Sequence, residues 1–487
     1  MKSRFYFITY IALCLTLFST CKNTETKSTT ETSENEPALF TLLAPDKTNV
    51  YFQNTITEGL NTNVLMYEYF YNGGGVAVGD INNDGLEDIY FTSNMESNHL
   101  YLNKGNMQFQ DITASAGVSG RDGPWKTGTT MADVNGDGFL DIYVCYSGNL
   151  QPEKRANQLF INQGNNTFVE KAADYGLNSF GTSTQATFFD YDKDGDLDMF
   201  LLNHNPKSLP VLDEASTADI LKKDDPNNGM RLFRQDKGKN GEPLFKDVTK
   251  QAGLVSSALS YGLGAAMADF NGDGWTDMYI SNDYTIPDFL YINNKKGGFI
   301  NQISEDIGHT SHFSMGSDAA DINNDALTDM FTLDMLPEDN HRQKLLMSPD
   351  NYEKFDFNLK VGFGHQYMRN MLHINQGLVD KKLAFSEVGQ LAGISNTDWS
   401  WSALFADYDN DGWKDLYITN GYLRDYTNLD FLKYMGDYIQ NNRANIQRQN
   451  VLDLVQKIPA SNLTNYMFKN NGSSGGQGGL TFKNVGC

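Results

Sequence analysis

The chemistry in this chain is concentrated in nine-residue stretches rich in aspartate, and six of them share one spacing. Positions 1, 3 and 5 are Asp80, Asn82 and Asp84 in the first; Asp133, Asn135 and Asp137 in the second; and Asp190, Asp192 and Asp194 in the third. The fourth has Asp269, Asn271 and Asp273; the fifth Asp321, Asn323 and Asp325; the sixth Asp407, Asp409 and Asp411. Position 7 offers a backbone carbonyl at Leu86, Phe139, Asp196, Trp275, Leu327 and Trp413. Position 9 closes the set with Asp88, Asp141, Asp198, Asp277, Asp329 and Asp415. Oxygens so arranged around a sharp turn suit a hard cation. Six or more of them fit Ca²⁺, whereas Mg²⁺ prefers a tighter octahedron with retained waters. A single acidic turn between strands would read as a solvated hairpin. Six at constant spacing predict calcium in most of the loops.

An EF-hand starts in the same way but needs Glu at position 12 and flanking helices. Position 12 here is Phe91, Val144, Leu201, Ile280, Thr332 and Ile418, none a carboxylate. The flanks read as strands: Val76-Ala-Val or Ala266-Met-Ala before the loop, and Asp141-Ile-Tyr-Val or Asp277-Met-Tyr-Ile after it. Loops three and six carry a fourth carboxylate at position 3, and charge count predicts them the tightest. Loop five has Ala326 where the others have Gly; a positive φ there disfavours a Cβ, so this loop is expected to bind most weakly.

A second unit alternates with the loop. It appears as Leu100-Tyr-Leu-Asn-Lys-Gly with Phe109, and as Leu159-Phe-Ile-Asn-Gln-Gly with Phe168. It recurs at Leu232, Leu290 and Met371, and last as Tyr466-Met-Phe-Lys-Asn-Asn-Gly with Phe482. Each reads as a hairpin. Loop and hairpin in phase resemble the FG-GAP/VCBS repeat family, whose blades form the integrin-α type propeller. The likeness runs from about residue 50 to the end of the chain. The arrangement is also similar to the cartilage acidic protein group, although no ASPIC/UnbV domain is evident. The resemblance implies extracellular recognition or adhesion with structural calcium. The expected fold is all-β: a β-propeller over 40–487 with calcium-binding loops and partly helical insertions. Six loops plus the hairpin at 466–487, taken as a further partial repeat, predict seven blades.

Insertions at about 204–230, 334–370 and 421–465 share one repeat phase and should leave from one side of the ring. The last carries Val451, Leu454, Val455 and Ile458 at helical spacing. The aromatic residues of the insertions are expected mainly to pack them onto the propeller, with glycan or protein docking as the competing use. Shortening 421–465 is expected to leave the β fold in place.

The N-terminus predicts export. Lys2 and Arg4 precede an apolar run to Phe18 that is too short to span a bilayer comfortably. Leu17-Phe-Ser-Thr-Cys21 resembles a lipobox, with Phe18 and Thr20 departing from the usual residues. The expected order is a lipoprotein signal over 1–20, lipid on Cys21 and a polar tether over 21–39. Lys22 favours the outer membrane. A net charge of −23 argues against nucleic acid as a partner. Extracellular protein or glycan, and a membrane reached through the anchor, are the expected partners.

The four cysteines are too few and too scattered for a disulfide framework or a zinc site, and Cys145 reads as a buried thiol. No HExxH, GxSxG or Walker loop is present. The pair His309 and His312 reads as part of a turn, because zinc needs further ligands. The alternative to a binding module is a calcium-dependent polysaccharide hydrolase or lyase working in the central funnel. It would require unpaired carboxylates around an isolated His or Lys.

Overall fold

The structure is a computed structural model that describes residues 39–486, apart from 208–211, 240, 285, 347–351, 443–446 and 473–479. The expected signal, Cys21 and nearly all of the tether lie outside the described residues. The chain divides into Met1–Leu43 and Ala44–Cys487, and everything below concerns the second unit. Among the described residues no helix is long and apolar enough to cross a membrane.

Six four-stranded antiparallel sheets account for nearly all strands. Blade one is Val76–Gly79, Asp88–Phe91, His99–Asn103 and Phe109–Asp111. In every blade the aspartate loop joins the first strand to the second, and the hairpin supplies the third and fourth. The repeat unit is therefore loop then hairpin. The hairpin of Tyr466–Asn470 and Phe482–Asn484, assigned by sequence to a seventh blade, completes the sixth, with Leu416 opposite Phe468. Six blades are formed by the described residues, not seven.

Second strands such as Asp141–Tyr146 and Asp277–Asn282 are buried at every position. A blade packed on both faces requires this, and it explains why these segments read as continuous apolar runs. The first strands of all six blades line a central cavity of about 480 Å³. They approach so closely that a Cβ on Gly128 would lie 2.3 Å from the Thr184 carbonyl, and one on Gly316 2.2 Å from that of Trp401.

The seam between blades six and one is more open than the others. Thr129, Ala186 and Ala403 occupy one repeat position and are 9%, 2% and 4% exposed; Val76, at the same position in blade one, is 56% exposed. Val78 is 58% and Leu404 of blade six 47% exposed. The segment preceding blade one bridges this seam on one side. Arg424 pairs with Glu58 at 2.8 Å, and the Tyr422 hydroxyl donates to the Glu68 carbonyl at 2.9 Å.

That segment also caps the channel. The Tyr69 hydroxyl donates to Asp283 at 2.9 Å, Tyr67 lies 3.2 Å from His204 Nε2, and Phe70 stacks on Trp125 at 5.2 Å. Residues from blades two, four, five and six join this segment in one core. The three long connections leave from the far ends of second strands, so they emerge on the capped face, opposite the aspartate loops. Their apolar residues pack inward: Tyr422, Phe431, Leu454, Val455 and Ile458 are buried. Arg342 of the second insertion bonds Asp425 of the third at 2.7 Å and also holds Asp398. The third insertion contributes Tyr422, Phe431 and Ile458 to this core, the packing role expected of its aromatic residues.

Candidate metal centres

Each loop is a turn wound around its first aspartate. In loop two, Asp133 accepts from the amides of Asp137 at 3.0 Å and Gly138 at 2.8 Å. The same pair of bonds recurs at Asp80, Asp190, Asp269, Asp321 and Asp407. Position 5 accepts from the amide of position 7, as in Asp137 from Phe139 at 2.9 Å. Position 6 has positive φ throughout, from 69° at Ala326 to 97° at Gly195. Ala326 thus bears the strain expected of it, about 1 kcal/mol for a Cβ in this region.

Position 3 splits the loops into two kinds. Where it is Asn, its amide can donate across the loop to position 5: Asn82 to Asp84 at 3.0 Å, Asn135 to Asp137 at 2.9 Å, and Asn323 to Asp325 at 2.9 Å. Where it is Asp, that donor is missing and carboxylates face one another. Oxygens of Asp190, Asp192 and Asp194 lie within 4.8 Å of each other, as do those of Asp407, Asp409 and Asp411. In loop three, Asp192 Oδ1 and Asp196 Oδ1 are buried with no hydrogen-bond partner. Burial, and then the neighbouring Asp194 and Asp190, push the Asp192 carboxyl up. Converging carboxylates with orphaned buried oxygens fit a hard divalent cation. In loop six the Lys469 ammonium contacts Asp409 and lies 3.0 Å from Asp411, and these bonds hold it charged. In loop four, Lys295 reaches Asp273 at 3.0 Å.

Position 9 does more than the sequence suggests. Asp141 is fully buried; one oxygen accepts from the Val134 amide at 3.0 Å and the other from the Asn162 amide at 2.8 Å. Every blade repeats this clamp between the loop and the third strand. Burial pushes Asp141, Asp277 and Asp329 up to about 7 and Asp198 to about 8. Sequence reasoning also missed a recurring Asn in the third strand. Asn162 donates to the Ile81 carbonyl at 2.8 Å, in the loop of the preceding blade. Asn293, Asn375 and Asn470 reach Tyr191, Phe270 and Ile322 in the same way. The signal was visible, since Asn recurs in five of the six hairpins, but its acceptor is in another repeat. The third blade has Gln235 there, and no such tie forms.

Other candidate residues do not converge. His309 faces Glu387 at 3.3 Å, whereas His312 lies 2.9 Å from Lys354. Cys145 is buried, and burial raises its thiol far above the usual range.

Repeating blades strung on aspartate loops define the class, and the family comparison agrees. The FG-GAP-like repeat model matches residues 80–144, 146–201 and 269–332. The chain thus carries three FG-GAP-like repeats and resembles the cartilage acidic protein group. Cartilage acidic protein 1 of Mus musculus is 29% identical over 234 residues, 47% of this chain and 32% of that protein. The Homo sapiens protein is 29% identical over 234 residues, 47% of this chain and 31% of its own length. The matched region therefore spans about a third of these relatives. A solved structure concerning N-acetylglucosamine recognition by an Agrocybe aegerita lectin aligns over 70% of this chain and 73% of its own. Its identity is 15% and its TM-score 0.39, too weak a likeness to bear on fold or ligand.

Proposed function

We propose that the protein is an exported, lipid-tethered propeller that uses calcium in its aspartate loops to hold a recognition surface for an extracellular protein or glycan. The observation that carries the calcium reading is loop three, where carboxylates converge and two buried oxygens lack partners. Asp190, Asp192, Asp194 and Asp196 would hold the ion, which would supply charge neutralisation and a fixed turn. Recognition is assigned to the capped face, where all three insertions emerge and loops on a rigid scaffold can vary freely. Tyr352 and Tyr434 are exposed there, 77% and 44%. The channel favours binding over catalysis. Asp318 is the one carboxylate among its lining residues, and it accepts from the Phe405 amide at 2.7 Å and the Ala319 amide at 2.9 Å. Glycan and protein arrays probed with the purified protein test the assignment. Ligand capture that weakens on Tyr352→Ala or Tyr434→Ala is expected. Turnover of a polysaccharide, or capture indifferent to these residues, would count against it.

A further inference from the structure

The repeats contain an internal correlation between loop and third strand. The residue before this third-strand Asn or Gln is Leu102, Ile161, Ile292 and Ile374 in blades one, two, four and five, whose loops have Asn at position 3. It is Arg234 in blade three and Lys469 in blade six, the two blades with Asp at position 3. A cation therefore stands on the third strand wherever the cross-loop amide donor has been replaced by a carboxylate. The two cations are placed differently. Lys469 lies on Asp409 and Asp411, in the position that a metal would neutralise. Arg234 is turned to Asp236 at 2.9 Å, and its neighbour Asp192 keeps an unpartnered buried oxygen.

We infer that Lys469 is a tethered competitor for the cation site of blade six, so that loop six takes up a divalent ion only by displacing its own lysine, whereas loop three has no such barrier. This rests on the calcium reading above. It also reverses the equal ranking that carboxylate count gives loops three and six. With Lys469 seated, loop six is already bridged in low calcium, and ion entry frees an ammonium at the hairpin surface. The side chain is 39% exposed, so it has room to leave.

Trp413 at position 7 makes this measurable. Of the five tryptophans, only Trp275 and Trp413 lie in loops. In a Trp275→Phe background, indole-sensitised terbium luminescence reads loop six. Lys469→Met should lower the half-saturating terbium concentration about tenfold or more, the scale set by one unit charge ~4 Å from a multivalent ion. Lys469→Arg should leave it near the parent value, and competing calcium should show the same order. An unchanged or weaker midpoint in Lys469→Met, with saturable terbium binding in both proteins, overturns the inference and leaves the calcium reading standing. Absence of saturable binding in both proteins overturns both.

Discussion

Chelating calcium with EGTA should lower the melting temperature of this protein by about 10 °C relative to calcium-replete buffer. Extracellular calcium modules bind at roughly 10⁻⁴–10⁻³ M. At tenfold excess over Kd, each independent site adds about 1.4 kcal/mol, so six add roughly 8 kcal/mol. Unfolding a unit of this size carries an entropy of roughly 0.9 kcal/mol/K, which converts that energy into about 9 °C. The loops have reason to respond strongly, because nothing but solvent, an amide or a lysine separates their carboxylates. Differential scanning calorimetry in EGTA and in millimolar calcium reads the shift. Identical transitions would mean that the loops fold without using the ion.

Asp141→Ala should cost about 3–5 kcal/mol whether or not calcium is present. It removes both acceptors of a buried carboxylate and strands the amides of Val134 and Asn162, each worth about 1–3 kcal/mol when left unpaired in the interior. The damage should spread across the seam, since Asn162 also carries the bond to the Ile81 carbonyl of blade one. Asp137→Ala, at exposed position 5 of the same loop, should cost little in EGTA and show its loss only in calcium. Denaturant unfolding of the two variants with and without calcium separates a clamp from a ligand. A cost for Asp141→Ala that vanishes in EGTA would make position 9 a metal ligand alone.

The loops, their flanking strands and the all-β architecture were legible because each was written several times. A turn residue or ligand type is ambiguous once and informative when it recurs at fixed spacing. Phase was less legible. The hairpin at 466–484 could precede or follow a loop in a sequence pattern, and strand pairing settled that it follows. Contacts between segments distant in the chain were harder still. Asn162 meets a carbonyl 81 residues away, and Lys469 meets a carboxylate 60 residues away. Neither separation is a feature of the local motif. The run Tyr67-Glu-Tyr-Phe-Tyr71 gave no hint that it caps a channel, since aromatic residues fill any core equally well. The packing of the third insertion was legible in its aromatic content, but not its partners: Tyr422 and Phe431 belong to the same core as Trp399 and the cap.

The account stands or falls on ion occupancy of the loops, and equilibrium dialysis against calcium counts it directly. At free calcium well above the millimolar range, the account predicts close to six ions bound per chain, as expected for extracellular sites of this affinity class. The count should drop by about one on Asp192→Ala with Asp194→Ala, which empties loop three. A chain that binds fewer than about two ions, or whose count is untouched by that double substitution, would contradict the reading of the aspartate loops as calcium sites.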